Sequence, residues 1–377
     1  MADSSVQTPD MQRPEKLFSP VRIGPYELSH RVVLAPMTRL RADADDSPSS
    51  MMVEYYRQRA SEGGLLITES AHPSCDSRGY LGAPGIYTEQ HVKAWRKVTD
   101  AVHEQGARIF MQIAHDGRQS HVALSWGNAP VAPSVVPFET QVFTRDGWVP
   151  NSPHRALEAA EIPDLVESFR KAAERAWRAG FDGVELHNAN GYLADTFLQD
   201  GTNKRADAYG GSVEKRARFP LELVEAFVSV WGADRVGVRV SPSGKWGAIS
   251  DSNPVATFSH FARRLNEYGL AYLHVIEPRV MGVETLDENA QPVASAYLRT
   301  VFTGPIIAAG GFKRDTAEEI LRRGDADLVA FGRWFASNPD LPERLRHGHP
   351  LTPYDRNAFW GGSEYHYTDY ADFPAGD

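Results

Sequence analysis

The chain has 377 residues, 42% hydrophobic and 24% charged, with a formal net charge of −9 and one cysteine, Cys75. That length exceeds the roughly 250 residues typical of one α/β barrel but stays within its range with insertions, and the composition is ordinary for a globular protein. The acidic balance gives no case for nucleic acid or an anionic membrane as partner, a lone cysteine excludes an intrachain disulfide or a cysteine metal cluster, and no apolar run is long enough to span a bilayer.

Residues 1–13 are polar and read as a flexible tail, and the first 16 residues hold no apolar signal core, so a cytoplasmic location is expected. Residues 17–28 form a hairpin turning at Gly24-Pro25. Then the chain alternates. Short apolar strands are expected at 31–35, 65–69, 107–113, 182–187, 235–240, 271–277, 305–309 and 327–331. Amphipathic helices are expected at 50–61, 88–104, 162–179, 213–231, 254–268 and 314–323. Such alternation predicts a parallel sheet with right-handed crossovers, here an eight-stranded (β/α)8 barrel in one domain. Two stretches break the rhythm. Residues 114–155, after strand 3, hold five prolines and two tryptophans and read as a cap over a pocket, with Trp126 and Trp148 as cover. Residues 278–293, after strand 6, read as a mobile loop. The end of the chain is aromatic and polar, with Trp360, Tyr365, Tyr367 and Tyr370.

The most informative segment is 181–192. A helix, a glycine turn and a strand deliver His187, Asn190 and Tyr192 at a strand's carboxyl end, where a parallel barrel keeps its chemistry. Imidazole, carboxamide and phenol within six residues suit a substrate oxygen that gains negative charge while a neighbouring carbon takes a proton. A lone histidine there would more simply be a satisfied polar residue. Three such groups, followed by Asn203-Lys204-Arg205 and Tyr209-Gly210-Gly211-Ser212, favour chemistry.

This segment resembles the old yellow enzyme family of FMN-dependent NAD(P)H ene-reductases, and the resemblance runs from about residue 15 to 372. Threonine at position 38 is similar to the branch of the yeast and enteric enzymes. A flavin needs donors near N5 and at N1/O2, and an anion site for its phosphate. Thr38, Gln112 and Arg239 end strands 1, 3 and 5, and Gly310, Gly311, Gly332 and Arg333 follow strands 7 and 8, where barrels often bind phosphate.

By matching position, the resemblance implies roles for these residues. Thr38 would hydrogen-bond the flavin's O4/N5 edge and Ser70 pack beside the ring, with Pro36 also at the cofactor, Gln112 at the pyrimidine end and Arg239 at N1/O2. Gly310, Gly311, Gly332 and Arg333 would surround the phosphate. His187 and Asn190 would grip the substrate's carbonyl or nitro oxygen, and Tyr192 would donate the proton. Tyr80, Ala114 and Trp360 would line the substrate pocket, with Ala114 roomy where relatives carry tryptophan and Trp360 where tyrosine is common.

The expected activity is hydride transfer from reduced flavin to the β-carbon of enones or nitroalkenes, with NADPH or NADH as reductant. Nitrate esters or nitroaromatics are alternative acceptors, and a non-catalytic flavin-binding redox sensor is the non-enzymatic rival. No metal site is expected, and the protein would be a monomer or homodimer.

Overall fold

Eight parallel strands close on themselves in chain order: β1 (Val32–Leu34), β2 (Leu65–Ile67), β3 (Arg108–Ile113), β4 (Gly183–Asn188), β5 (Val236–Val240), β6 (Tyr272–Ile276), β7 (Ile306–Ala309) and β8 (Leu328–Phe331). The barrel is sealed where β8 pairs with β1, in the register Val329 to Val32 and Phe331 to Leu34. The computed structural model describes residues 15–278, 280–281, 284–285 and 293–374. The expected 1–13 tail and most of the 278–293 loop lie outside the described residues.

Alternation along each strand decides what faces where. On β1, Val32 and Leu34 pack outward with the helices while Val33 and Ala35 face inward. On β8, Val329 and Phe331 face out, and Leu328 and Ala330 in. The lower lumen is filled by apolar side chains, among them Leu65, Ile67, Phe110, Tyr272 and Ile307. Fully burying such a side chain stabilises the fold by about 1.5–3 kcal/mol. The expected hairpin forms as Val21–Ile23 and Tyr26–Leu28, and its Ile23 and Leu28 join that inner cluster. A side chain at Gly24 would place its Cβ 1.8 Å from the Asp234 carbonyl oxygen, so only glycine fits the turn.

The outer helices bury one face, though not every apolar residue on it: Trp177 is exposed. In α-helix Ile162–Arg178, the buried residues are Ile162, Phe169, Ala172, Ala173 and Ala176. Thr88 caps the helix Glu89–His103 by accepting from the His91 amide at 3.1 Å. Several elements lack the periodicity that reveals long helices. Helix Leu193–Leu198, directly after Tyr192, is one turn and a half; Arg333–Ser337 and Leu341–His347 follow β8. Inside the 114–155 excursion, Gln141–Thr144 and Gly147–Pro150 form a hairpin. Among the described residues, no helix is long and apolar enough to cross a membrane, and no group of three or more His, Cys, Asp or Glu is arranged to hold a metal ion.

Candidate active site

The upper lumen differs from the lower. Inward positions on β3, β4, β5 and β6 are Gln112, Glu185 and His187, Arg239, and His274. Above them opens a cavity of about 660 Å³, within the size range of cofactor and ligand sites.

Every strand end that the sequence reading singled out contributes to this cavity. Pro36 and Thr38 follow β1, Ser70 follows β2, Gln112 belongs to β3 and Arg239 to β5. Gly310 and Gly311 follow β7, while Gly332 and Arg333 follow β8. His187, Asn190, Tyr192, Tyr80 and Trp360 line the same space. Ala114 does not. It is fully buried and absent from the cavity wall. At the end of β3, Ile113 bridges Ala71 in parallel. The Ala71 amide donates to the Gln112 carbonyl at 2.8 Å and the Ala114 amide to the Ala71 carbonyl at 3.1 Å. The Ala114 methyl is packed away behind the wall. Trp126 is also no pocket cover, being 78% exposed and off the cavity wall, whereas Trp148 lines it.

The 188–192 loop is held by its backbone, which leaves its side chains to the cavity. Asn190 and Gly191 both adopt left-handed conformations, φ +59° and +67°. Asparagine tolerates that region better than most residues. The Asn190 amide donates to Ser241 Oγ at 2.8 Å, and its carbonyl accepts from Gln119 Nε2 at 2.8 Å. The Gly191 amide donates to Asp195 Oδ2 at 2.9 Å.

Burial sets the protonation of the two titratable groups here. Burial, then the charge of Arg239, pushes His187 well below the ordinary histidine range, so it presents one N–H as a neutral imidazole. Its Nδ1 is buried without a hydrogen-bond partner among the described residues. Burial, then Tyr80 and Asp116, pushes the Tyr192 phenol well above its ordinary value, so it keeps its proton at neutral pH. The rings of His187 and Tyr192 lie 5.1 Å apart, and the Tyr80 hydroxyl is a hydrogen-bonding neighbour of Tyr192.

At the other end, the glycines give backbone where side chains would obstruct. Gly310 sits at φ +128°, and a Cβ there would press 3.0 Å from Glu277 Cβ. A Cβ on Gly332 would lie 3.0 Å from Met37 Sδ. Glycine backbone after β7 and β8 and the Arg333 guanidinium line the same cavity, a combination that suits a phosphate. Gln112 and Arg239 supply the donor and the cation that an isoalloxazine's pyrimidine end requires. The donor set therefore fits FMN.

Tyr80, Trp148 and Trp360, all expected near the pocket, form its mouth, but the contacts that hold them are not written in the sequence. Trp148, from the excursion's hairpin, meets Trp360 edge-to-face at 5.7 Å and Tyr80 at 6.1 Å. Phe359 and Trp360 are held there by arginines far away in sequence. Arg39 Nε donates to the Phe359 carbonyl at 2.8 Å, Arg41 Nε to that of Ser363 at 3.1 Å, and Arg59 Nη2 to that of Tyr367 at 3.2 Å. Tyr55 and Tyr367 stack at 4.3 Å beside them.

Comparison with known proteins converges on the same chemistry. Residues 16–352 match the NADH:flavin oxidoreductase / NADH oxidase family. The chain is 43% identical over 359 residues to 12-oxophytodienoate reductase 1 of Oryza sativa subsp. japonica, covering 94% of this chain and 92% of that protein. A structure of morphinone reductase in complex with tetrahydroNAD superposes with a TM-score of 0.88 at 44% identity, covering 96% of this chain and 98% of that one. The old yellow enzyme homologue from Zymomonas mobilis gives a TM-score of 0.90 at 39% identity, covering 95% and 99%.

Proposed function

The chain belongs to the NADH:flavin oxidoreductase / NADH oxidase family and is an FMN-dependent NAD(P)H oxidoreductase; from that premise we propose that it reduces the C=C bond of α,β-unsaturated carbonyl and nitro compounds. Bound FMN would supply hydride transfer from a nicotinamide to an electron-poor carbon. Thr38, Pro36, Ser70, Gln112 and Arg239 would hold its ring, and Gly310, Gly311, Gly332 and Arg333 its phosphate.

The protein's own part is electrostatic and protonic. His187 and Asn190 donate to the substrate's activating oxygen, where negative charge grows as the β-carbon is reduced. Tyr192 holds a proton on its hydroxyl and delivers it to the α-carbon. The observation that carries this reading is the convergence of His187, Asn190 and Tyr192 on one cavity with the glycine ends of β7 and β8. The same two donors suit the nitro group of a nitroaromatic, and the aromatic mouth of Tyr80, Trp148 and Trp360 suits a flat ring. Nitroaromatic reduction is therefore a second reading. We also assign the protein to the cytoplasm, as one domain acting on small molecules.

A phenol tests the two donors. It should bind the oxidised protein as phenolate, because paired donors favour the charged form, and give a long-wavelength charge-transfer band. His187→Ala/Asn190→Ala should abolish the band. A band that survives in the double variant removes these residues from the substrate site.

A further inference from the structure

Beneath the cavity floor lies a buried carboxylate that none of the roles above uses. Glu185 sits two residues before His187 on β4, so alternation sends both side chains into the lumen. Its register partner on β3 is Gln112. Gln112 Nε2 donates to Glu185 Oε1 at 2.7 Å, and His274 Nδ1 lies 2.8 Å from Oε2. Glu185 and His274 are both 0% exposed and neither touches the cavity.

These contacts fix what the floor presents. Ser70 Oγ donates to Gln112 Oε1 at 2.7 Å, so the carboxamide has its oxygen and one N–H engaged below and a second N–H left for the cavity. Arg239 lies in register with His187 on one side and His274 on the other. Its Nε is buried without a hydrogen-bond partner among the described residues.

The charges follow. Burial works against ionised Glu185, yet the attraction and hydrogen bond of His274, then the nearby Arg239 guanidinium and the hydrogen bond from Gln112, hold its carboxyl below the ordinary range. Burial and the charge of Arg239 push His274 down while Glu185 pulls the other way, and its Nδ1 faces the carboxylate. The floor thus sets the Glu185 carboxylate on the strand next to the Arg239 guanidinium, both side chains in the lumen. Stripping water from a carboxylate is costly and is offset only by well-placed partners, so this hydrogen-bonded pairing is a built feature of the lumen.

We propose that Glu185 is a positioning residue that tunes the bound flavin: it fixes the Gln112 carboxamide and offsets the charge that Arg239 presents to the ring. The inference rests on the FMN reading of the cavity. Removing the negative charge leaves the guanidinium uncompensated and favours a reduced, anionic flavin.

The test is the midpoint potential of FMN in Glu185→Gln, alongside FMN affinity by dialysis. We expect the reduced form to gain about tenfold or more over the parent, a positive shift of about 30 mV for a two-electron couple. Glu185→Asp, which keeps the charge, should return the potential towards that of the parent. A Glu185→Gln protein that holds FMN at the parent's potential overturns the proposal. If that variant does not fold, infrared difference spectra of the parent serve instead, with its glutamates isotope-labelled. Flavin reduction should then perturb an ionised glutamate band, and no perturbation overturns the proposal. A parent that neither carries nor takes up flavin refutes the FMN reading itself, which is a different outcome.

Discussion

Replacing Tyr192 with phenylalanine removes one hydroxyl and little else. In the parent, burial and the neighbours Tyr80 and Asp116 keep that hydroxyl protonated across the neutral range, so every molecule is ready to give its proton. General acid catalysis contributes about 10²–10⁴-fold, or about 3–5 kcal/mol at about 1.4 kcal/mol per tenfold. Tyr80 narrows the range. It lines the same cavity, and burial keeps its phenol protonated, so it offers a substitute proton. The single variant should therefore fall near the lower end, and Tyr80→Phe/Tyr192→Phe near the upper. One lost hydrogen bond costs about 1 kcal/mol, which leaves the fold intact. Anaerobic stopped-flow separates the half-reactions. Flavin reduction by NADPH should change less than about twofold, because no proton is needed from Tyr192, while reoxidation by cyclohexenone should slow by the full factor. Nitro acceptors, which take hydride without carbon protonation, should be affected less. Equal losses in both half-reactions, or none in reoxidation, would refute the assignment of Tyr192 as proton donor.

Arg333→Ala should weaken FMN retention about ten- to a hundredfold, since a charge-assisted hydrogen bond is worth about 1.5–3 kcal/mol; equilibrium dialysis against the parent checks it. Ala114→Trp should lower thermal stability by about 1–3 kcal/mol by overpacking a fully covered site. It should leave the ratio of kcat/KM for bulky and small enones unchanged, and a selective loss on bulky enones would put residue 114 back on the pocket wall. Burial raises Asp195 to about 7, against the hydrogen bonds from Gln199 and Gly191. A carboxyl raised on folding contributes stability below its unfolded value, near 4, and loses it as pH rises through the folded value. Asp195→Asn should therefore be more damaging at pH 5 than at pH 8 in paired thermal melts, where other titrating groups cancel.

The barrel was legible because its signals are local. Strand alternation and helical stripes each repeat within a few residues, and the strand ends they marked for Thr38, Gln112, Arg239 and Arg333 meet at one cavity. What escaped notice depends on contacts between distant segments. Arg39 reaches the carbonyl of Phe359, 320 positions away, and no spacing in the sequence announces that. Trp148 reaches the mouth because it pairs with Phe143 across a hairpin turn, while Trp126, equally aromatic, points to solvent. Alternation places Ala114 on the same side as Gln112, but neighbouring segments cover its methyl completely, and burial by distant residues is not written in local spacing. Glu185 stood inside the segment read most closely. Its partners come from β3 and β6, so its role became visible only once the lumen was assembled.

One anaerobic titration tests the central claim most directly. The purified protein should show an oxidised FMN spectrum that NADPH or NADH bleaches, and cyclohexenone should restore the colour mole for mole while being reduced at its C=C bond. A protein that carries FMN and accepts the nicotinamide's electrons, yet returns them to neither cyclohexenone nor a nitro acceptor, would contradict the account and mark the barrel as a flavin-binding sensor.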